Sequence, residues 1–193
     1  MNTSIYLHVR SRDRGFYVDY PGGDSMRNFF LSLALAVAAS SPVLAQDNLQ
    51  STIVKHLKTS RDFCLKVAEA MPDSDYSFKL TPAQMSFGQQ MTHLSQGMTY
   101  FLSPFSGEKP HPGKPKSDSK ADVIEFMKAS FDKAIDTVSK LTPEQISKTY
   151  KNSGETATGA DLLIGMLEHN AHHRASAEMY LRAKGITPPQ YQA

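Results

Sequence analysis

Cysteine is nearly absent from this 193-residue chain: Cys64 stands alone. That excludes an intramolecular disulfide and any thiolate metal cluster built within one chain. A charge excess of one sign is missing too. The 21 Lys and Arg against 19 Asp and Glu leave a net charge of +2, too even a balance for the basic stripe that marks a nucleic-acid binder. No apolar run reaches the ~20 residues that cross a bilayer comfortably, and no segment alternates apolar and polar residues as a half-buried strand would. What the chain does have is 40% apolar residues, enough for a core, and seven histidines spread unevenly, with His169, His172 and His173 crowded together.

The N-terminus reads as an address. Residues 1–25 are polar and broken by Gly and Pro. Met26-Arg27-Asn28 then leads into the apolar run Phe29–Ala39, followed by small residues up to Val43-Leu44-Ala45. A short positive start, an apolar stretch of about 7–15 residues and small residues before the cut make a secretory signal peptide. The expectation is a signal over 26–45, cleavage after Ala45, and residues 1–25 as a mis-called start or unprocessed extension. The protein is then exported, periplasmic or secreted. With no cysteine at the cut there is no lipoprotein signal, so no stable membrane anchor is expected after cleavage. Removing 45 residues from 193 leaves the segment 46–193, of single-domain size.

Four helices are predicted in that segment. The first runs from about Asp47 to Ala70, with Leu49, Ile53, Leu57, Cys64, Val67 and Ala68 at helical spacing and Pro72 ending it. The second starts at Ser86, where Gln89 completes a capping box; Met91, Leu94, Met98, Phe101 and Leu102 form its apolar face, and Pro104 is expected to stop it. Residues 103–118 hold four prolines and two glycines. A link that long reads as a crossover, so helices two and three should run parallel. The third helix covers about Lys120–Lys140, with Val123, Phe126, Met127, Ile135 and Val138 inward. A connector with one helical turn at Pro143–Ile146 leads to a fourth helix from Thr158 to about Lys184, closed by Gly185. The fold class is all-α, a four-helix bundle.

His169 and His173 lie four residues apart on the fourth helix, and so on one face. Two imidazoles at that spacing can point at one metal ion. They share the stripe of Met166, Ala177 and Tyr180, which places them toward the interior, where an imidazole needs an ion or a hydrogen bond. A third ligand has to come from a facing helix, and His93 is the candidate. Gly97, one turn on, removes side-chain bulk there and would leave room for an ion. Three neutral imidazoles suit Zn²⁺, Ni²⁺ or Fe²⁺, and three protein ligands leave one position open. His172 points about 100° away and is expected to line the rim. His56 and His111 carry no signal.

Two stretches then become familiar. One is Met71-Pro-Asp-Ser-Asp-Tyr-Ser-Phe-Lys with Ser86-Phe-Gly-Gln-Gln-Met-Thr-His93. The other is Glu168-His-Asn-Ala-His-His-Arg174 with Tyr180-Leu-Arg and Gly185-Ile-Thr-Pro-Pro. Together they resemble the DinB family (DinB/YfiT-like metalloenzymes) over residues 47–191. The resemblance implies an up-down-down-up bundle, a divalent metal held by His93, His169 and His173, and a homodimer as a possible assembly. The chain departs from the family pattern after Arg174, reading Ala175-Ser176 where relatives often have Gly-Gln. The expected effects are tighter helix packing at 175 and loss of a polar group near the site.

For function, the leading expectation is an exported metal-dependent enzyme acting on an unidentified small molecule. It would be either a hydrolase using metal-activated water or, as some relatives imply, a thiol S-transferase. No catalytic residue is assigned; Glu178, Tyr100 and Tyr180 are acid–base candidates. The alternative is a non-catalytic metal-binding or stress-associated bundle, and a third reading is an interaction module without metal.

Overall fold

The computed structural model describes residues 49–107, 109–152 and 154–191. The expected extension (1–25), the signal segment (26–45) and the cut after Ala45 lie outside the described residues. Among those described, no helix is long and apolar enough to cross a membrane.

Helix α1 spans 49–70. Ile53, Leu57, Cys64, Val67 and Ala68 are buried along it as their spacing requires, joined by Phe63. It ends where Pro72 disfavours helical geometry for the residue before it. Its last carbonyls, which have no partner inside the helix, are met from outside. Lys120 Nζ donates to Glu69 O at 2.7 Å and Met71 O at 2.8 Å, and the Tyr76 hydroxyl donates to Ala68 O at 2.8 Å.

Helix α2 spans Phe87–Ser106. The capping box is formed: Gln89 N–H donates to Ser86 Oγ at 3.2 Å and Ser86 N–H to Gln89 Oε1 at 2.8 Å. Pro104 does not stop the helix, contrary to expectation; it lies inside it. Proline removes the N–H that would bond the carbonyl four residues back, here that of Tyr100. The Ser103 hydroxyl donates to that carbonyl instead, at 2.9 Å. The helix ends at Gly107, whose φ of 72° suits a residue without Cβ.

Helix α3 spans Lys120–Ser139 and α5 spans Gly159–Ala183. Between them sits the short α4 (Pro143–Ser147), which is the expected helical turn. The buried stripe of α3 is Val123, Met127, Phe131, Ala134 and Val138. Phe126, expected inward, instead packs over Gly113 of the crossover.

Hydrogen bonds and packing fix the directions. Gln50 at the start of α1 donates to Val138 O and Leu141 O at the end of α3, and Lys120 ties the other two ends, so α1 and α3 are antiparallel. Tyr180 of α5 donates to Met85 O just before α2, while Phe101 meets Gly165, so α2 and α5 are antiparallel. The start of α2, where Gly88 N–H donates to Tyr76 O, and the start of α3, where Lys120 N–H donates to Asp73 Oδ1, both lie beside the end of α1, so α2 and α3 run parallel, as the long crossover required. The order is up-down-down-up. Twenty-residue helices are about 30 Å long, and the 13 residues from Gly107 to Ser119 can reach about 43 Å when extended, enough to return the chain to the starting end.

One element was not expected. Strands β1 (Thr149–Asn152) and β2 (Glu155–Thr158) form an antiparallel hairpin with Thr149 opposite Thr158. Just before β2, Gly154 has a φ of 91°. The face these short strands cover is one partly buried pair, Tyr150 opposite Ala157 with the Tyr150 ring against Phe105, too short a pattern to read as alternation in the sequence.

The four long helices enclose one core that includes Leu57, Val67, Met91, Met98, Met127, Phe131, Leu163 and Met166. Removing the Tyr76 hydroxyl leaves the buried Ala68 carbonyl unpaired. Tyr76→Phe is therefore expected to cost about 1–3 kcal/mol, read as a lower urea midpoint at unchanged m-value.

Candidate metal centre

Because α2 and α5 are antiparallel neighbours, His93 comes to face the turn of α5 that carries His169 and His173. His93 Nε2 lies 3.4 Å from His169 Nε2. The His173 ring centroid is 4.5 Å from each of the other two. One ring nitrogen from each histidine lies within 4.8 Å of the other two. Two imidazole nitrogens bound tetrahedrally at about 2.1 Å sit about 3.4 Å apart. The His93–His169 pair already has that separation, and small ring rotations bring in the third. His173 is buried, His169 half-buried and His93 the most open of the three. Among the described residues no carboxylate or thiol joins them. The three imidazoles are therefore close enough together to bind one divalent metal ion.

The helices approach most closely at Gly97. A methyl group on its Cα would fall on the His169 ring, against Cε1 and Nδ1. The expected role of this glycine was to leave space for an ion; the space is filled by the imidazole itself.

The sequence reading missed Gln90. Its Oε1 accepts from His173 Nδ1–H at 2.8 Å in a buried position. That bond fixes the ring and its tautomer, leaving the Nε2 lone pair for the cluster, as outer partners of metal-binding histidines do. The available signal was a polar residue three positions before His93, on the same helix face. Asn170 is fully buried beside His169. Neither of its amide atoms, nor His169 Nδ1, has a hydrogen-bond partner among the described residues. It is a nearby polar group left over for that ring.

Burial, reinforced by the other imidazoles, pushes the His173 pKa down to about 4. Burial and the neighbouring His93 lower that of His169. Both rings are thus neutral at pH 7, the form a metal requires.

The remaining candidates fall elsewhere. His172 is exposed, its ring edge-on to His173 at 4.9 Å and outside the trio. His56 and His111 lie in other grooves. The Tyr180 hydroxyl is committed to Met85 O at 2.6 Å. Glu178 pairs with Arg174 and Arg182. Tyr100 is seven residues beyond His93, about 10 Å along the helix. Ala175 is exposed, so the expected tightening of helix packing there does not arise, and Ser176 spends its hydroxyl on His172 O. Cys64 is buried, and burial pushes its thiol up to about 11, which keeps it protonated.

The DinB family model matches residues 45–193. A relative, the uncharacterized protein YjoA of Bacillus subtilis (strain 168), is 26% identical over 145 residues, spanning 72% of this chain and 94% of that protein. The crystal structure of the DinB-like YjoA from Bacillus subtilis aligns with a TM-score of 0.64, covering 73% of this chain and 97% of that one. A DinB-like protein from Bacillus cereus aligns equally well, at a TM-score of 0.64 over 72% and 95% of the two chains. Its 15% identity makes that a likeness of fold.

Two outcomes are expected of metal-free protein. Gly97→Ala should cost about 1–3 kcal/mol through overpacking and should break the proximity of the His93 and His169 rings, read by nuclear Overhauser contacts. Lowering the pH should also destabilise the fold. Unfolded imidazoles titrate near 6.5, whereas the folded His173 resists protonation down to about 4. For His173 the contribution to stability is therefore full above about 6.5 and declines toward pH 4, by up to about 1 kcal/mol per pH unit once solvent screening is allowed for. Urea melts across that range check the decline, and His173→Gln should flatten it.

Proposed function

This chain belongs to the DinB family, and we propose on that footing that it is an exported metal-dependent protein whose His93, His169 and His173 hold one divalent cation, zinc or nickel. The observation that carries this reading is the convergence of three imidazoles across two helices, with His173 aimed by Gln90. A helix pair built only for packing has no use for three polar rings in mutual contact, because each sacrifices hydration when buried. Bound with a position open, such a cation supplies Lewis acidity to a water or thiol of the substrate.

The chain's own residues set the terms of that chemistry. Gln90 orients, Gly97 admits the His169 ring, and burial keeps the His169 and His173 rings neutral. The Phe101 ring, 5.8 Å from that of His169, forms an apolar wall. Hydrolysis is the better of the two enzymatic readings, because export separates the protein from the chiefly cytosolic small thiols a transferase would use. One observation favours the non-catalytic reading: Tyr180 and Glu178 are both engaged elsewhere, so neither is free to act as acid or base at the histidines.

The protein to assay is the tag-free chain from the periplasmic fraction, expected to begin at Gln46. Elemental analysis should find about one equivalent of divalent metal, the stoichiometry of a single mononuclear site. Gln90→Ala should weaken binding about 10–100-fold, and His93→Ala should abolish it while leaving the helical circular dichroism intact. Unchanged metal content in His93→Ala would refute the ligand assignment. A screen of esters, amides and thiol conjugates with loaded and chelated protein separates enzyme from carrier, since activity that survives chelation removes the metal mechanism.

A further inference from the structure

One residue beyond His173, and about 100° further round the helix, Arg174 turns away from α2 toward α1. Its guanidinium lies 4.5 Å above the Phe63 ring and 5.8 Å from that of Tyr191. The side chain is only 13% exposed. A guanidinium carries five N–H donors, yet the buried Nε of Arg174 has no acceptor among the described residues. The neighbouring Cys64 thiol, held protonated by burial, is at best a weak acceptor. The carboxylate of Glu178 stands 3.6 Å from Nε, beyond hydrogen-bond length, and is shared with Arg182 at the same 3.6 Å. Two cations on one anion leave a positive charge over.

Beside this guanidinium is a cavity of about 160 Å³ between α1 and α5, lined by His56, Thr59, Ser60, Phe63, Arg174 and Tyr191 among others. Among the described residues no carboxylate lines it. Its polar side chains are hydroxyls, an imidazole and the guanidinium, all able to donate, while Phe63 and its aliphatic neighbours make an apolar wall. Stacking on Phe63 holds the guanidinium plane in place before any ligand arrives, and a planar fork so held matches the two oxygens of a carboxylate. The volume suits a molecule of a few carbons.

We propose that this cavity is a binding site for a small monocarboxylate, whose head group pairs with Arg174 at its exposed Nη edge and whose carbon body lies along Phe63. The site faces α1, not α2, and needs neither the histidines nor a metal.

The test follows the Nε–H resonance of Arg174 by ¹⁵N NMR in the metal-free mature chain during titration with propionate. Propionamide serves as the uncharged isostere and chloride as the ionic-strength control. The expected result is a saturable shift with propionate alone. Equal responses to propionate and propionamide, or a response matched by chloride, or none, would overturn the proposal. Calorimetry on Arg174→Met, which keeps the stem and loses the fork, should show propionate affinity reduced about tenfold or more. Unchanged affinity there refutes the assignment. Should that variant fail to fold, the wild-type resonance still decides.

Discussion

At the crossing of α2 and α5, the missing side chain at Gly97 lets the His169 ring lie directly against a neighbouring helix backbone, and the site is built around that contact. With the ring admitted there, its Nε2 reaches that of His93, and His173, one turn on, completes the group. Any larger residue would displace the imidazole, because helices enclosing a packed core cannot separate locally without opening voids. A backbone approach thus governs the chemistry of side chains contributed by two distant parts of the chain.

The same crossing shows how the protein keeps polar groups inside a core. His173 is satisfied by Gln90, Ser95 by the carbonyl of Met91, and Tyr180 by the carbonyl of Met85. Asn170 and His169 Nδ1 are the exceptions there, and they sit beside the histidine cluster. At this crossing, unmet polarity is confined to where a ligand would act, while the surrounding layers of Leu, Met and Phe remain apolar. Burial has a second effect as well. By penalising charge it holds the His169 and His173 rings neutral, so the environment that costs them hydration also readies their lone pairs.

Helix α5 serves both sides of the bundle. Its α2 face carries His169 and His173, and its α1 face carries Arg174 and Glu178. Successive residues step about 100° round a helix, so adjacent positions 173 and 174 enter different environments, one a histidine cluster and the other a stacked guanidinium. The run His172-His173-Arg174, which reads as one motif in the sequence, is divided by the fold into a rim residue, a cluster member and the wall of a separate cavity.

The helices were legible because apolar spacing, the capping box at Ser86, and Gly185 all act locally, within a turn or two of the chain. The parallel course of α2 and α3 was legible as well, since the length of a crossover is a property of sequence. The four-residue spacing of His169 and His173 likewise marked a shared face. Other features were set by contacts that sequence distance conceals. Pro104 stays inside a helix because one hydroxyl covers the carbonyl it exposes. The β-hairpin forms from mostly polar residues whose one partly buried pair, Tyr150 and Ala157, meets only in the fold. Gln90 acquires its role only because α5 brings His173 to it across 83 positions. Local propensity thus settled which segments are helical and which faces turn inward. Which polar groups meet, and how closely, was decided only when the helices packed, because hydrogen bonds and steric exclusion depend on separations of a few ångströms that no spacing along the chain encodes.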